Sequence, residues 1–105
     1  MSENIIRLDL TAPRALAIIR KLAANSENVF LIQHAKKSMK KRHITRAQIN
    51  QCLLKGQITE GPYREVGSGN WRVRMEHYVY GQCVRVIAEL FTNDLGEKIL
   101  IITTF

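Results

Sequence analysis

Residues 34–44 read His-Ala-Lys-Lys-Ser-Met-Lys-Lys-Arg-His-Ile, with five cations, two imidazoles and no carboxylate. Ammonium and guanidinium groups at this density attract phosphates. An imidazole titrates near neutral pH, so it can move protons as well as bind. His34 and Arg42 are the candidate chemical groups of the segment, and Lys37 and Lys41 are candidate phosphate contacts. Lys36 and Lys40 add long-range attraction.

The whole chain shares this bias. Its 105 residues carry 16 Lys and Arg against 9 Asp and Glu, a net charge of +7. That excess favours RNA, DNA, an anionic membrane surface or an acidic protein as partner. The length suits a single domain with one modest core. Cys52 and Cys83 lie far apart without zinc spacing and read as reduced thiols of a cytoplasmic protein. An acidic, polar N-terminus predicts no signal peptide, and no apolar run is long enough to span a bilayer. No glycine-rich phosphate loop is present and the acids do not cluster, so neither cofactor nor metal is expected.

Helical and extended segments on either side must position the basic stretch. Residues 4–10 alternate weakly, as in a short strand. Thr11 and Pro13 open a helix over about 11–25, with Leu16, Ile19, Leu22 and Ala23 as its apolar stripe. Residues 29–32 read as a buried strand or an apolar lead into the basic segment. Residues 34–42 read as a helix anchored by Met39. Thr45 and Gln48 form a capping box for the next helix, which buries Ile49, Cys52 and Leu53 and closes on Gly56 as a left-handed residue.

From residue 57 the period becomes two. Residues 57–66, 70–80, 82–92 and 97–105 read as four strands joined by turn residues. Pro62 makes the first an edge strand, or starts it later. Trp71, Val73, Met75, His77 and Val79 share one face, with His77 as a buried structural residue. Arg72, Arg74, Glu76, Tyr78 and Tyr80 share the other. A turn at Gly81-Gln82 sets Tyr78 opposite Arg85 and Arg74 opposite Glu89. The polar face then carries arginines and tyrosines, a mixture that grips phosphates and stacks bases, or else is a solvated surface. Ile87, Phe91, Leu100 and Ile102 fall on that same face and require cover, from the first helix or from a protein partner.

Residues 29–105 resemble a bacterial and phage family of unknown function with the pattern His-Ala-x-x-Arg-Met-x-x-Arg-x-Ile, an apolar helix, then Gly-x-Ile-x-Glu. The matching residues are His34, Ala35, Met39, Arg42, Ile44, Ile49, Leu53, Gly56, Ile58 and Glu60, with Ser38 in place of the pattern's Arg. The helix at 11–25 lies outside the likeness. This family is similar to the BrnT and RelE-like toxins. The resemblance implies an α+β fold with helices on one face of a curved four-stranded antiparallel sheet. It also implies metal-independent cleavage of messenger RNA, often on the ribosome, and an antitoxin as inhibitor. RelE-like toxins often carry a catalytic tyrosine near the C-terminus, whereas this chain ends in Phe105.

Such cleavage needs a base near neutral pKa, fixed guanidinium groups and an acid. His34 can be base or acid, or can cap its helix. Arg42, Arg74 and Arg85 can clamp phosphate, or Arg42 can pair with Glu60 and Arg74 with Glu89; Glu60 or Glu89 is an alternative base or orients an arginine. Tyr78 can donate a proton or stack a base, and Arg72 and Tyr80 complete an RNA-binding set. The alternative is a non-catalytic module that binds nucleic acid or protein through the same basic surface.

Overall fold

A computed structural model describes residues 10–105, so the alternation at residues 4–10 lies, apart from Leu10, outside the described residues. Helix α1 (Ala12–Ala23) opens as its sequence predicts. Thr11 Oγ1 accepts from Arg14 N at 3.4 Å, and Pro13 occupies the first turn. Ala15, Ile19 and Ala23 form its buried stripe. A short 3-10 turn (Ser26–Asn28) leads into β1 (Val29–Leu31), which is followed by α2 (Gln33–Arg42), α3 (Arg46–Lys55), β2 (Gln57–Arg64), β3 (Trp71–Val79), β4 (Gln82–Asn93) and β5 (Gly96–Thr104).

Helix α2 ends on His43, which takes left-handed dihedrals of φ 57° and ψ 43°. Ile44 N then bonds Met39 O at 2.9 Å, closing the helix. Helix α3 begins with a capping box: Thr45 Oγ1 accepts from Gln48 N at 3.2 Å, and Gln48 Oε1 accepts from Thr45 N at 2.8 Å. Its other end differs from expectation. Gly56 is extended, at φ −78° and ψ −174°. Glycine is required there by crowding, because a Cβ would stand 2.5 Å from Cys52 O and 2.6 Å from Glu76 O.

The strands form one sheet in the order β1-β5-β4-β3-β2. Strand β1 runs parallel to β5, pairing Val29 with Ile99 and Leu31 with Ile101, and the other neighbours are antiparallel. The expected four-stranded antiparallel sheet of RelE or BrnT type is therefore corrected to a five-stranded mixed sheet. Parallel strands need a long crossover, and here the connection runs through α2, α3 and the three strands β2, β3 and β4. Strand β2 is an edge, which accommodates Pro62.

The hairpin between β3 and β4 turns at Tyr80 and Gly81, with φ of 52° and 79°. Two left-handed residues are what a twisted two-residue hairpin needs. Val79 pairs with Gln82, so the register slips by two from the one set by a Gly81-Gln82 turn. An even slip preserves which face each side chain occupies and changes only the partners. Arg72 faces Glu89, Arg74 faces Ile87, Glu76 faces Arg85 and Tyr78 faces Cys83.

All three helices pack on the face bearing Val73, Met75, Val84, Val86, Ala88, Ile99 and Ile101, and together they bury one core. Because α1 sits there beside α3, it does not cover the apolar set on the opposite face. On that face Phe30 stacks edge-on against Phe91 with centroids 5.8 Å apart. Ile87, Phe91, Leu100 and Ile102 are all half-buried. Ile102 is the extra residue of a bulge opposite Ile87 and Ala88. No helix of the described residues is long and apolar enough to cross a membrane.

Candidate nucleic-acid interface

Helix α2 is amphipathic by charge. Ala35 and Met39 are buried at i and i+4 and fix which side faces the protein. His34, Lys37, Ser38, Lys41 and Arg42, at i, i+3, i+4, i+7 and i+8, form a neighbouring stripe. With Thr103 and Thr104 at the end of β5 they line a cavity of about 310 Å³. His34, Lys37, Lys41 and Arg42 are exposed, so this wall is open to a ligand. Ile32 holds the cap position of α2 and no side chain caps it, so His34 lines the cavity and is not a helix cap.

Strand β1 stops at Leu31, which leaves the last residues of β5 without a strand partner on that side. Ser38 fills the gap. Its hydroxyl donates to Ala35 O at 2.9 Å and accepts from Thr104 N and Thr104 Oγ1, both at 3.0 Å. Thr103 Oγ1 donates to Thr104 O at 3.1 Å. The Ser38–Thr104 bonds tie the helix to the sheet edge, and the Thr103 hydroxyl bonds within the strand. The cationic side chains are the groups left to meet a ligand.

Arg74 and Arg85 stand on the adjoining open face of the sheet. Thr103 and Phe105 are two residues apart and share that face. The Arg74 guanidinium lies 5.2 Å from the Phe105 ring centroid, a cation–π arrangement. Arg74 Nε is 3.4 Å from Glu60 Oε2, yet is buried without a well-aligned hydrogen bond. Glu60, which the sequence offers as a partner for Arg42, is therefore turned to Arg74. Arg85 Nε is 3.5 Å from Glu76 Oε2, and Cys83 Sγ is 4.0 Å from the same oxygen. The Tyr78 hydroxyl is pushed above its ordinary pKa, first by its hydrogen bond with Cys83 and then by the charges of Cys83 and Glu76. It stays a neutral phenol at neutral pH. Arg85 is likewise pushed up, by Cys83 first and then by its bond to Tyr78, and remains charged.

Arg72 and Tyr80 do not line the α2 cavity. Arg72 is held between two carboxylates, 3.1 Å from Glu89 Oε1 and 3.3 Å from Glu65 Oε2. Glu89 is 4% exposed and also bonds Ser68 and Asn70. Arg72, rather than Arg74, is thus the partner of Glu89, and its cross-strand pair is structural. Tyr80 leaves the strand at the turn and lines a separate cavity beside α3. Cys52 is fully buried; burial, then Cys83 and Glu76, pushes its thiol up to about 12, so it is inert at neutral pH. Sequence reasoning misses Thr103 and Thr104. Their signal is a hydroxyl doublet at the end of the final strand, whose neighbour α2 no local pattern reveals.

The structure therefore gathers His34, Lys37, Lys41 and Arg42 at one cavity, sets Arg74, Arg85 and Tyr78 on the face next to it, and separates Arg72 and Tyr80 from both. Residues 31–105 match the family described as domain of unknown function DUF4258, and the chain belongs to that family. Helix α1 lies outside the match but supplies part of the core. No significant match is found among curated proteins or among solved structures.

Proposed function

We propose, for this member of the DUF4258 family, that the α2 cavity binds an RNA phosphodiester and that His34 cleaves it without a metal. One observation carries the reading: an imidazole and three cations line a single open cavity. In this reaction His34 takes the proton of the 2′-OH. The 2′ oxygen bonds to phosphorus, the bond to the 5′ oxygen breaks, and the imidazolium returns a proton to the departing oxygen. Lys37, Lys41 and Arg42 neutralise the non-bridging oxygens as negative charge accumulates. Arg74 and Arg85, each paired with a carboxylate, lie beside the cavity as secondary cations, and Tyr78 offers a neutral phenol as hydrogen-bond donor or stacking surface.

A synthetic RNA incubated with the protein in chelator should yield 2′,3′-cyclic phosphate ends, and DNA of the same sequence should stay intact. His34→Ala should slow cleavage by about 10²–10⁴-fold while RNA binding changes little. Equal cleavage by wild type and His34→Ala would remove His34 from the mechanism. The hydroxyls of Ser38, Thr103 and Thr104 are already engaged, which leaves proton transfer within the cavity to His34. That dependence favours, as second reading, a non-catalytic RNA-binding module. Its signature is salt-sensitive binding with the RNA left whole.

A further inference from the structure

A second cavity, of about 250 Å³, lies between α3 and the β3–β4 hairpin, lined by Ala47, Gln48, Gln51, His77, Val79, Tyr80, Gln82 and Val84. Its position relates it to the first. Arg42 ends the wall of one cavity and Ala47 begins the wall of the other, with only the α2–α3 turn between them. On the sheet side Thr104 pairs with Val86, and Val84 is two residues further along β4, about 7 Å away. Adjacent units of one extended ligand can reach both.

The chemistry of this second cavity is different. No cation lines it. Ala47, Val79 and Val84 give apolar walls, while Gln51, Gln82 and His77 present amide and imidazole edges. Gln48 Nε2 donates to Gln82 Oε1 at 3.1 Å, which orients the Gln82 amide. At the mouth stands Tyr80, fully exposed and at φ 52°. Glycine, asparagine or aspartate fits that turn position more cheaply than a bulky L-residue. A strained, wholly solvated aromatic gains nothing for the fold. Such an outlier points towards use.

We propose that this cavity takes one unpaired nucleobase of the strand whose phosphate occupies the α2 cavity, with Tyr80 as its stacking platform and Gln51, Gln82 and His77 as groups that read its edge. The proposal rests on the RNA-binding reading above. The size suits a single flat ring system, and amides supply donor and acceptor together for a base edge. Stacking on an aromatic side chain is the common means of holding a single-stranded base.

The test measures binding of short labelled RNAs of each single base, with an abasic oligonucleotide of equal charge as control. Base-bearing strands should bind tighter than the abasic one, with a ranking among the bases. Tyr80→Ala should weaken base-bearing strands about 10-fold and leave the abasic strand unchanged, and Tyr80→Phe should restore binding. Tyr80→Gly relieves the turn, so it should raise Tm while losing the same base-dependent affinity. That opposition separates stacking from folding. Lys41→Ala, by contrast, should weaken all strands alike. Equal affinity for abasic and base-bearing strands, or wild-type affinity in Tyr80→Gly, overturns the base site and leaves the phosphate cavity standing. Failure of every oligonucleotide to bind overturns both.

Discussion

Ser38 has three hydrogen bonds on one hydroxyl, and two of them run to Thr104, which is 2% exposed. The residue replaces the strand that β1 is too short to provide. An alanine there leaves the Thr104 N–H and hydroxyl in a buried place with nothing to accept them. Orphaning a buried polar group costs about 1–3 kcal/mol. Urea denaturation of Ser38→Ala should show a loss in that range. A smaller loss would mean that water reaches the strand end and satisfies Thr104 in place of the lost hydroxyl. The same residue shows how local chemistry misleads sequence reading. Within a pattern that favours arginine, Ser38 suggests a gap in the chemical site. Its contacts show instead a hydroxyl that positions the cationic helix against β5.

The elements differ in how far they announce themselves. Thr45 and Gln48 spell out their capping box, since both partners lie within one turn. The two faces of β3 and β4 follow from alternation and survive an even slip in register. The register itself is decided by the residues that accept left-handed dihedrals, and Tyr80 is an unfavourable choice for that role. Strand β1 is harder still: three apolar residues carry no period, and their partner is at the other end of the chain. The convergence of α2 with Thr103 and Thr104 inherits that difficulty, because it depends on where β1 ends. Gly56 is a further example, legible as a glycine that ends α3 but not as one demanded by crowding. Gly56→Ala pushes a methyl against Cys52 O and the β3 carbonyl of Glu76, two backbone atoms that cannot swing aside. Overpacking of this kind costs about 1–3 kcal/mol. Chemical denaturation should place Gly56→Ala in that range; a neutral result would show that α3 can back away from β3.

At the scale of the molecule, the net charge of +7 is unevenly available. Arg72 is spent on Glu65 and Glu89, and Arg74 and Arg85 each face a carboxylate, Glu60 or Glu76. Helix α2 has no acid at all, and Lys37 and Lys41 stand at i and i+4, where like charges repel. A polyanion gains most from cations that have no counter-charge to surrender. With Lys37, Lys41 and Arg42 as the principal contacts, each phosphate neutralised on a single strand contributes about −0.7 to the slope of log K against log salt, giving about −2. Replacing Glu60 and Glu76 together by glutamine frees Arg74 and Arg85. If the open face continues the cavity, the double variant should bind RNA more tightly and steepen the slope toward about −3.5. Titrations at several salt concentrations decide the matter. An unchanged slope in the double variant would separate the sheet face from the RNA path, and a wild-type slope near zero would remove α2 from it as well.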